Sequence, residues 1–278
     1  MFMTEQERRR LIGQHGLGAV QDLLMGHMRP TVYLTLGEPG EEAGVSRIAG
    51  RPDLPADLDW PADEEGTPLT FLLQIRLKEL PAFGGNPLPG QGLLSVFVGL
   101  DEPASDVSHA ISLFGHQTRL ERRLPAGETA NETFAEVSPH RLIPKLGWDL
   151  PHWATSDHEK LVDRLSAEQQ EAYERLGWAL EPEQTLGRLL GHAAGIGSDP
   201  REDAYVVREV DPEFLYNYTE RANLDMGRAL HWQHLLTISS TRALNLTIWD
   251  AGYLQFLIRD TALAARDFGE VYASVQTS

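Results

Sequence analysis

SRIAGRPDLPADLDWP (46–61), TPLTFLLQIRLKEL (67–80) and LPGQGLLSVFV (88–98) together decide the fold. Four prolines, Pro52, Pro55, Pro61 and Pro68, exclude a helix between Arg51 and Thr67, because proline lacks the backbone N–H and restricts the residue before it. Trp60 lies in this extended segment, where its large ring is suited to anchor the loop on the core. Residues 71–77 are apolar on both faces, which predicts a strand central in a sheet. Gln74 is the polar exception. Once buried, its amide must find partners, either neighbouring backbone or a ligand, and satisfying local backbone is the commoner role. A loop with three prolines and four glycines (81–92) leads to a second apolar strand at 93–98.

Outward from this unit, Thr4 and Glu7 form a capping-box pattern that predicts a helix from residue 5, ended by Gly13, Gly16 and Gly18. Val20, Leu23 and Leu24 suggest a second short helix, and TVYLTL (31–36) alternates as a strand, followed by an acidic loop at 37–44. Downstream, 110–114 reads as a third strand, 117–136 loses pattern, and 139–153 reads as irregular because of Pro139, Pro144 and Pro151. Ser156 and Glu159 give a second capping box, with Leu161, Leu165, Tyr173 and Leu176 on one helical face and Gly177 as the stop; Ser166 with Gln169 alternatively starts a new helix. Leu186, Leu189 and Leu190 suggest a helical turn or two ending at Gly191, and 195–203 reads as loop. YVVREV (205–210) looks like a strand and 213–230 has helical character. Strands are expected at 235–239, 246–249, 253–258 and 270–276, with a helix in TALAARDF (261–268).

The opening unit has an echo near the C-terminus. FLLQI (71–75) matches HLLTI (234–238), and GLLSVFV (92–98) matches GYLQFLI (252–258), so that Gln74 corresponds to Thr237. The expected architecture is therefore α+β: a mixed or antiparallel sheet built from two related halves by internal duplication, with helices packed outside. The halves fall at about 30–150 and 190–278, joined by a helical connection at about 156–190, all within one domain spanning 1–278.

The chain's 278 residues carry 24 Lys and Arg against 41 Asp and Glu, a net charge of −17. That acidity opposes nucleic-acid binding, which relies on lysine and arginine at phosphates, and suits a basic partner. The absence of cysteine removes disulfides, thiolate metal sites and cysteine nucleophiles, and fits a reducing cytoplasm. No run reaches the ~18 uninterrupted apolar residues of a spanning helix, and the polar N-terminus MFMTEQERRR has no leader pattern. The expectation is a cytoplasmic protein with neither membrane nor nucleic-acid contact.

The run SRIAGRPDLPADLDWP, the LLQI strand and LPGQGLLSVFV, together with LLGH (189–192), IWDAGYLQFLI (248–258) and RDFGEVYASVQ (266–276), resemble the YwqG-like family of uncharacterised, mainly bacterial proteins. Ala49 and Gly50 stand at that family's double glycine, and Pro52, Trp60, Pro61, Gln74, Pro89 and Gly92 fit its pattern. Ala194 replaces a proline, Gly197 stands where glutamine is common, and Thr237 replaces another glutamine. The resemblance implies a fold and no activity. If those glutamines contact a ligand, this chain has lost or changed it.

No phosphate-binding glycine loop and no Gly-x-Ser-x-Gly elbow occurs in the sequence. His231 and His234 flank Trp232; on a helix they would share a face suitable for a metal, but just before a strand they need not converge, and no third ligand is placed. Asp53, Asp57, Asp59, Asp63, Glu64 and Glu65 make an acidic loop without EF-hand spacing, and clustered charges of this kind usually stay hydrated. Asp250 before Ala251-Gly252 suits a tight turn, its carboxylate accepting backbone N–H groups. No catalytic residue, metal ligand or cofactor is assigned. The leading expectation is a non-catalytic binding or protein-interaction module, one version being an immunity-type protein that neutralises a basic toxin. The alternative is a small-molecule-binding protein or hydrolase, with a pocket between the halves. The candidate ligand-binding residues are Trp60, Gln74, Thr237, Trp249 and Asp250.

Overall fold

The computed structural model describes residues 3–99, 105–125, 127–129 and 137–277. Helix α1 (Glu5–Gln14) starts at the expected capping box: the Thr4 hydroxyl accepts from Glu7 N–H, and the Glu7 carboxylate accepts from Thr4 N–H at 2.7 Å. Helix α2 (Gln21–His27) follows. Strand β1 (Arg29–Pro39) continues past residue 36 into the segment expected to be loop. Its Val32 and Leu34 enter the core, while Thr31, Tyr33 and Thr35 on the other face are also covered. Next come β2 (Arg47–Ile48), β3 (Asp53–Leu54), β4 (Thr70–Arg76), β5 (Leu93–Val98), β6 (His109–Phe114) and β7 (Glu121–Arg122). The second part of the chain holds β8 (His140–Asp149), α3 (Ser156–Val162), α4 (Ala167–Leu180), β9 (Thr185–Leu189), α5 (Pro200–Tyr205), α6 (Tyr218–Arg221), β10 (Trp232–Ser239), β11 (Tyr253–Arg259), α7 (Asp260–Ala265) and β12 (Val271–Gln276).

Among the described residues, ten strands form one sheet in the order β12-β11-β10-β9-β1-β8-β2-β4-β5-β6, every pair antiparallel. The order is symmetric about the β1/β8 pair. Strands β9 to β12 lie on one side and β2, β4, β5 and β6 on the other. Consequently β1 pairs with β9, late in the chain, and β8 pairs with β2, early in it. The two edges approach each other: Val107 N–H donates to the Ala273 carbonyl at 2.9 Å, and Ser105 bridges Ser274. The sheet thus nearly closes, and its inner face is one apolar core drawing Val32, Val96, Leu142, Leu236, Phe256 and Val275 from both halves. Helices α1 to α4 share a separate cluster that includes Ile12, Leu24, Leu161 and Leu176.

Several expectations are corrected. The stretch expected to be irregular, 139–153, contains β8. Pro144 is tolerated there because β2 reaches only His140 and Arg141, leaving no second ladder beside Pro144 that needs its missing N–H. Gly177 does not stop its helix; α4 runs to Leu180 and ends just before Pro182. Thr155 rather than Ser156 caps α3, while Ser166 and Gln169 form the reciprocal box that opens α4. Residues 185–189 are strand β9, not a helical turn. A bulge against β1, between the Leu34 and Thr35 pairings, brings Leu186 and Leu189 to the same core and so imitates a helical spacing. Helix α5 takes up residues 200–203 of the expected loop, and YVVREV, instead of a strand, closes α5 with Tyr205 and continues it through a π-helical turn (Val206–Val210). Residues 246–249 contribute only a bridge from Leu246 to Thr241. Part of the patternless 117–136 segment lies outside the described residues.

Candidate functional site

Strands β2 and β9 end alike. Arg47-Ile48-Ala49-Gly50 and Arg188-Leu189-Leu190-Gly191 each finish on two residues with positive φ: 60° and 75° in the first, 61° and 86° in the second. Glycine suits the last position, since a left-handed backbone strains any residue with a Cβ. At Gly191 that Cβ would also sit 2.6 Å from an Asp149 carboxylate oxygen. Each arginine faces the polar residue of the next strand outward, Arg47 opposite Gln74 and Arg188 opposite Thr237. Each donates its Nη2 to the carbonyl four residues on, that of Arg51 or His192. Each also meets one buried aspartate, Asp53 or Asp149.

In the first half this constellation is closed. Arg47 is 0 % exposed, and its Nη1 donates to Asp53 Oδ2 and to the Glu42 carbonyl, both at 3.0 Å. Gln74 accepts from Asp53 N–H and donates to the Val45 carbonyl and to Asp53 Oδ2. Burial pushes the Arg47 guanidinium below its usual value, and the Asp53 hydrogen bond only partly restores it. Asp53 is therefore a paired interior charge, not a member of a hydrated acidic loop. Trp60 packs edge-on against Phe97 at 5.4 Å and donates to the Leu69 carbonyl, which fixes the Pro-rich loop as expected.

In the second half the constellation is open. Asp149, at the end of β8, accepts from His192 N–H at 2.7 Å and contacts His152 Nε2 at 2.9 Å, with Arg188 Nε 3.6 Å away. Burial alone would push the Asp149 carboxyl up, but His152 and Arg188 outweigh it and hold the carboxyl well below its usual range. Around this group lies a cleft of about 450 Å³, formed where β1, β8, β9, β10 and β11 meet α3 and α4. Its floor includes Tyr33, Arg188, Thr237, Ser239 and Tyr253. Burial pushes the Tyr253 phenol up to about 12, so it stays protonated and able to donate. Trp153 and Trp178 also line the cleft, 64 % and 74 % exposed, together with Glu174 and Glu181. Glu174 and Trp178 stand one turn apart on α4 and Glu181 caps its end, while Tyr173, Leu176 and Leu180 face the helical core. A second cleft, of about 460 Å³, lies beside Tyr216 and Tyr218, but the Arg221 Nη1 there is already committed to Asp203 and the Leu215 carbonyl, both at 2.8 Å.

Of the five residues chosen from sequence, Thr237 lines this cleft. It is buried and meets His234 Nε2 at 2.6 Å, while His234 Nδ1 meets the Leu190 carbonyl. The glutamine that the Thr237 position lacks stands directly across on β11. Gln255 bonds both the N–H and the carbonyl of Ala194, whereas Gln74 bonds the Val45 carbonyl before β2 and the Asp53 N–H after it. Trp249 and Asp250 lie in the turn before β11, with positive φ at Trp249 and Ala251; among the described residues Asp250 accepts no hydrogen bond. Gln74 belongs to the closed constellation, and Trp60 packs against a separate cluster of Leu54, Leu69, Phe71 and Phe97. His231 is exposed against Asp260 and His234 is buried, so they do not converge, and among the described residues no metal-capable trio assembles. Sequence reasoning missed Asp149, His152, Trp153, Trp178 and Arg188. Two signals were present: the repeated Arg-x-x-Gly, and a tryptophan on the charged face of α4.

No described helix is long and apolar enough to cross a membrane. A family model described as Domain of unknown function (DUF1963) matches residues 46–277, from the start of β2 to the end of β12. No curated protein matches the chain.

Proposed function

The chain belongs to the DUF1963 family, and from that premise we propose that it is a non-catalytic cytoplasmic binding module whose cleft takes a cationic group. The observation that carries this reading is the cleft mouth: two largely exposed tryptophans beside Glu174 and Glu181. An ammonium or guanidinium gains from a tryptophan face and from nearby carboxylates together. The net charge of −17 draws such groups toward the protein. The cleft volume lies within the range of about 300–1,000 Å³ typical of small-ligand sites. A basic protein partner, a toxin of the immunity type included, would present the same group from its surface. The test is thermal shift with agmatine and with a lysine-rich peptide. A ligand that binds only the folded state raises apparent stability. The wild-type chain is expected to gain stability and a Trp153→Ala/Trp178→Ala variant to lose that gain. An equal gain in both would refute the reading.

The two halves are also read as products of one duplication. This is supported by the symmetric strand order, the two Arg-x-x-Gly ends with positive φ, and the glutamine serving each half from neighbouring strands. A second functional reading, a hydrolase, has one observation in its favour. His152 is part-exposed in the cleft and held by the buried Asp149, as a general base is held by an orienting carboxylate. Turnover of an ester panel abolished by His152→Ala would select it.

A further inference from the structure

We propose that Arg188 is the anchor for a ligand carboxylate, so that the cleft selects a basic amino acid, either free or as the C-terminal residue of a peptide. This rests on the cationic-group reading of the cleft mouth and adds what its floor does.

Two arginines in equivalent places have been put to different uses. Arg47 is 0 % exposed and both terminal nitrogens are occupied: Nη1 by Asp53 and the Glu42 carbonyl, Nη2 by the Arg51 carbonyl. Arg188 donates Nη2 to the His192 carbonyl, but among the described residues its Nη1 donates to nothing, and its side chain keeps 11 % exposure on the cleft floor. Its Nε is buried without a hydrogen bond, 3.6 Å from Asp149. Asp149 is already engaged by His192 N–H and His152, so it does not fully absorb the Arg188 charge. A guanidinium Nη1 left without a partner in a cleft suits a carboxylate oxygen, in a charge-assisted hydrogen bond. Ser239 and Tyr253 line the same floor, beside Thr237, whose hydroxyl meets His234.

The charge order along the cleft then fixes the ligand. The floor offers a cation, and the mouth offers two carboxylates and two indole rings. An anion alone meets Glu174, Glu181 and a strongly acidic protein. A cation alone leaves Arg188 unanswered. A molecule with a carboxylate at one end and an ammonium or guanidinium at the other answers both.

The test is calorimetric titration of the full-length chain with four probes: L-arginine, agmatine (arginine without its carboxylate), a hexapeptide ending in arginine with a free C-terminus, and the same hexapeptide amidated. At least one carboxylate-bearing probe is expected to bind about tenfold or more tightly than its counterpart, the discrimination one charge-assisted hydrogen-bonded pair supplies. Preference for free arginine or for the peptide identifies the source. Arg188→Gln is expected to abolish the ratio, with a thermal melt confirming the fold. Equal binding of arginine and agmatine, and of the two peptides, overturns the Arg188 assignment and leaves the cationic-group reading standing. No binding by any of the four overturns both. The ratio on the wild-type chain decides the matter even where the variant does not fold.

Discussion

Gln74 and Gln255 each satisfy two backbone groups, Gln74 the Val45 carbonyl before β2 and the Asp53 N–H after it, Gln255 both groups of Ala194. Leucine at either position would bury an unpaired N–H and an unpaired carbonyl. Gln74→Leu and Gln255→Leu are each expected to lower the unfolding free energy by about 2–4 kcal/mol, read from urea titration; a change below about 0.5 kcal/mol in both would contradict these roles. The buried imidazoles make a second prediction. Burial pushes His192 down to about 4 and His234 down to about 3. Unfolded histidines take up a proton near pH 6.5, so below that pH the unfolded state binds more protons and stability falls. Asp149 acts lower still. Its depressed carboxyl contributes stability above an unfolded value of about 3.9 and loses it as pH falls further. Urea-derived stability should therefore decline between about pH 6.5 and pH 4, by up to about 1.4 kcal/mol per pH unit for each histidine, and His234→Gln should flatten the decline. A flat profile in the wild-type chain would contradict it. At this scale the sequence displayed Gln74 well, because a polar residue interrupts an apolar run. It concealed the meeting of Asp149 with Arg188 and His192, 39 and 43 residues apart in the chain.

Among elements, β9 is set by its closest neighbour. A Cβ at Gly187 would lie 1.9 Å from the Thr237 carbonyl oxygen of β10, so only glycine allows these strands to pair as they do. Gly187→Ala is expected to destabilise by about 2–4 kcal/mol. Gly177 is the opposite case, a mid-helix glycine with nothing within 4 Å of the added methyl. Gly177→Ala is expected to stabilise by about 0.5–1 kcal/mol. Urea titration of the two variants checks the signs; the same sign for both would contradict the element assignments. Strands β4, β5 and β11 were legible because their apolar runs are continuous. Strand β8 was hidden by Pro144 and β9 by its bulge, both features that only the neighbouring strands explain.

Among the described residues, ten strands form one sheet in which β1 pairs with β8 and β9, and β8 in turn with β2. Chains 1–137 and 138–278, made separately, should lack a cooperative thermal transition alone and regain one on mixing, because β1 has both its partners in the second piece. A cooperative melt from either piece alone would contradict the shared core. The echo between 71–98 and 234–258 was visible in the sequence, whereas the pairing of β1 with β9 and of β8 with β2 was not, since β1 and β8 carry no repeated motif. That pairing brings β1, β8 and β9 together at the open cleft. Whether the cleft holds a basic amino acid is tested most directly by diffraction from crystals of the full-length chain soaked with L-arginine. Density is expected in the cleft, with the carboxylate on Arg188 Nη1 and the guanidinium beside Trp153 and Trp178; an empty cleft at saturating arginine, or arginine seated elsewhere, would contradict that assignment.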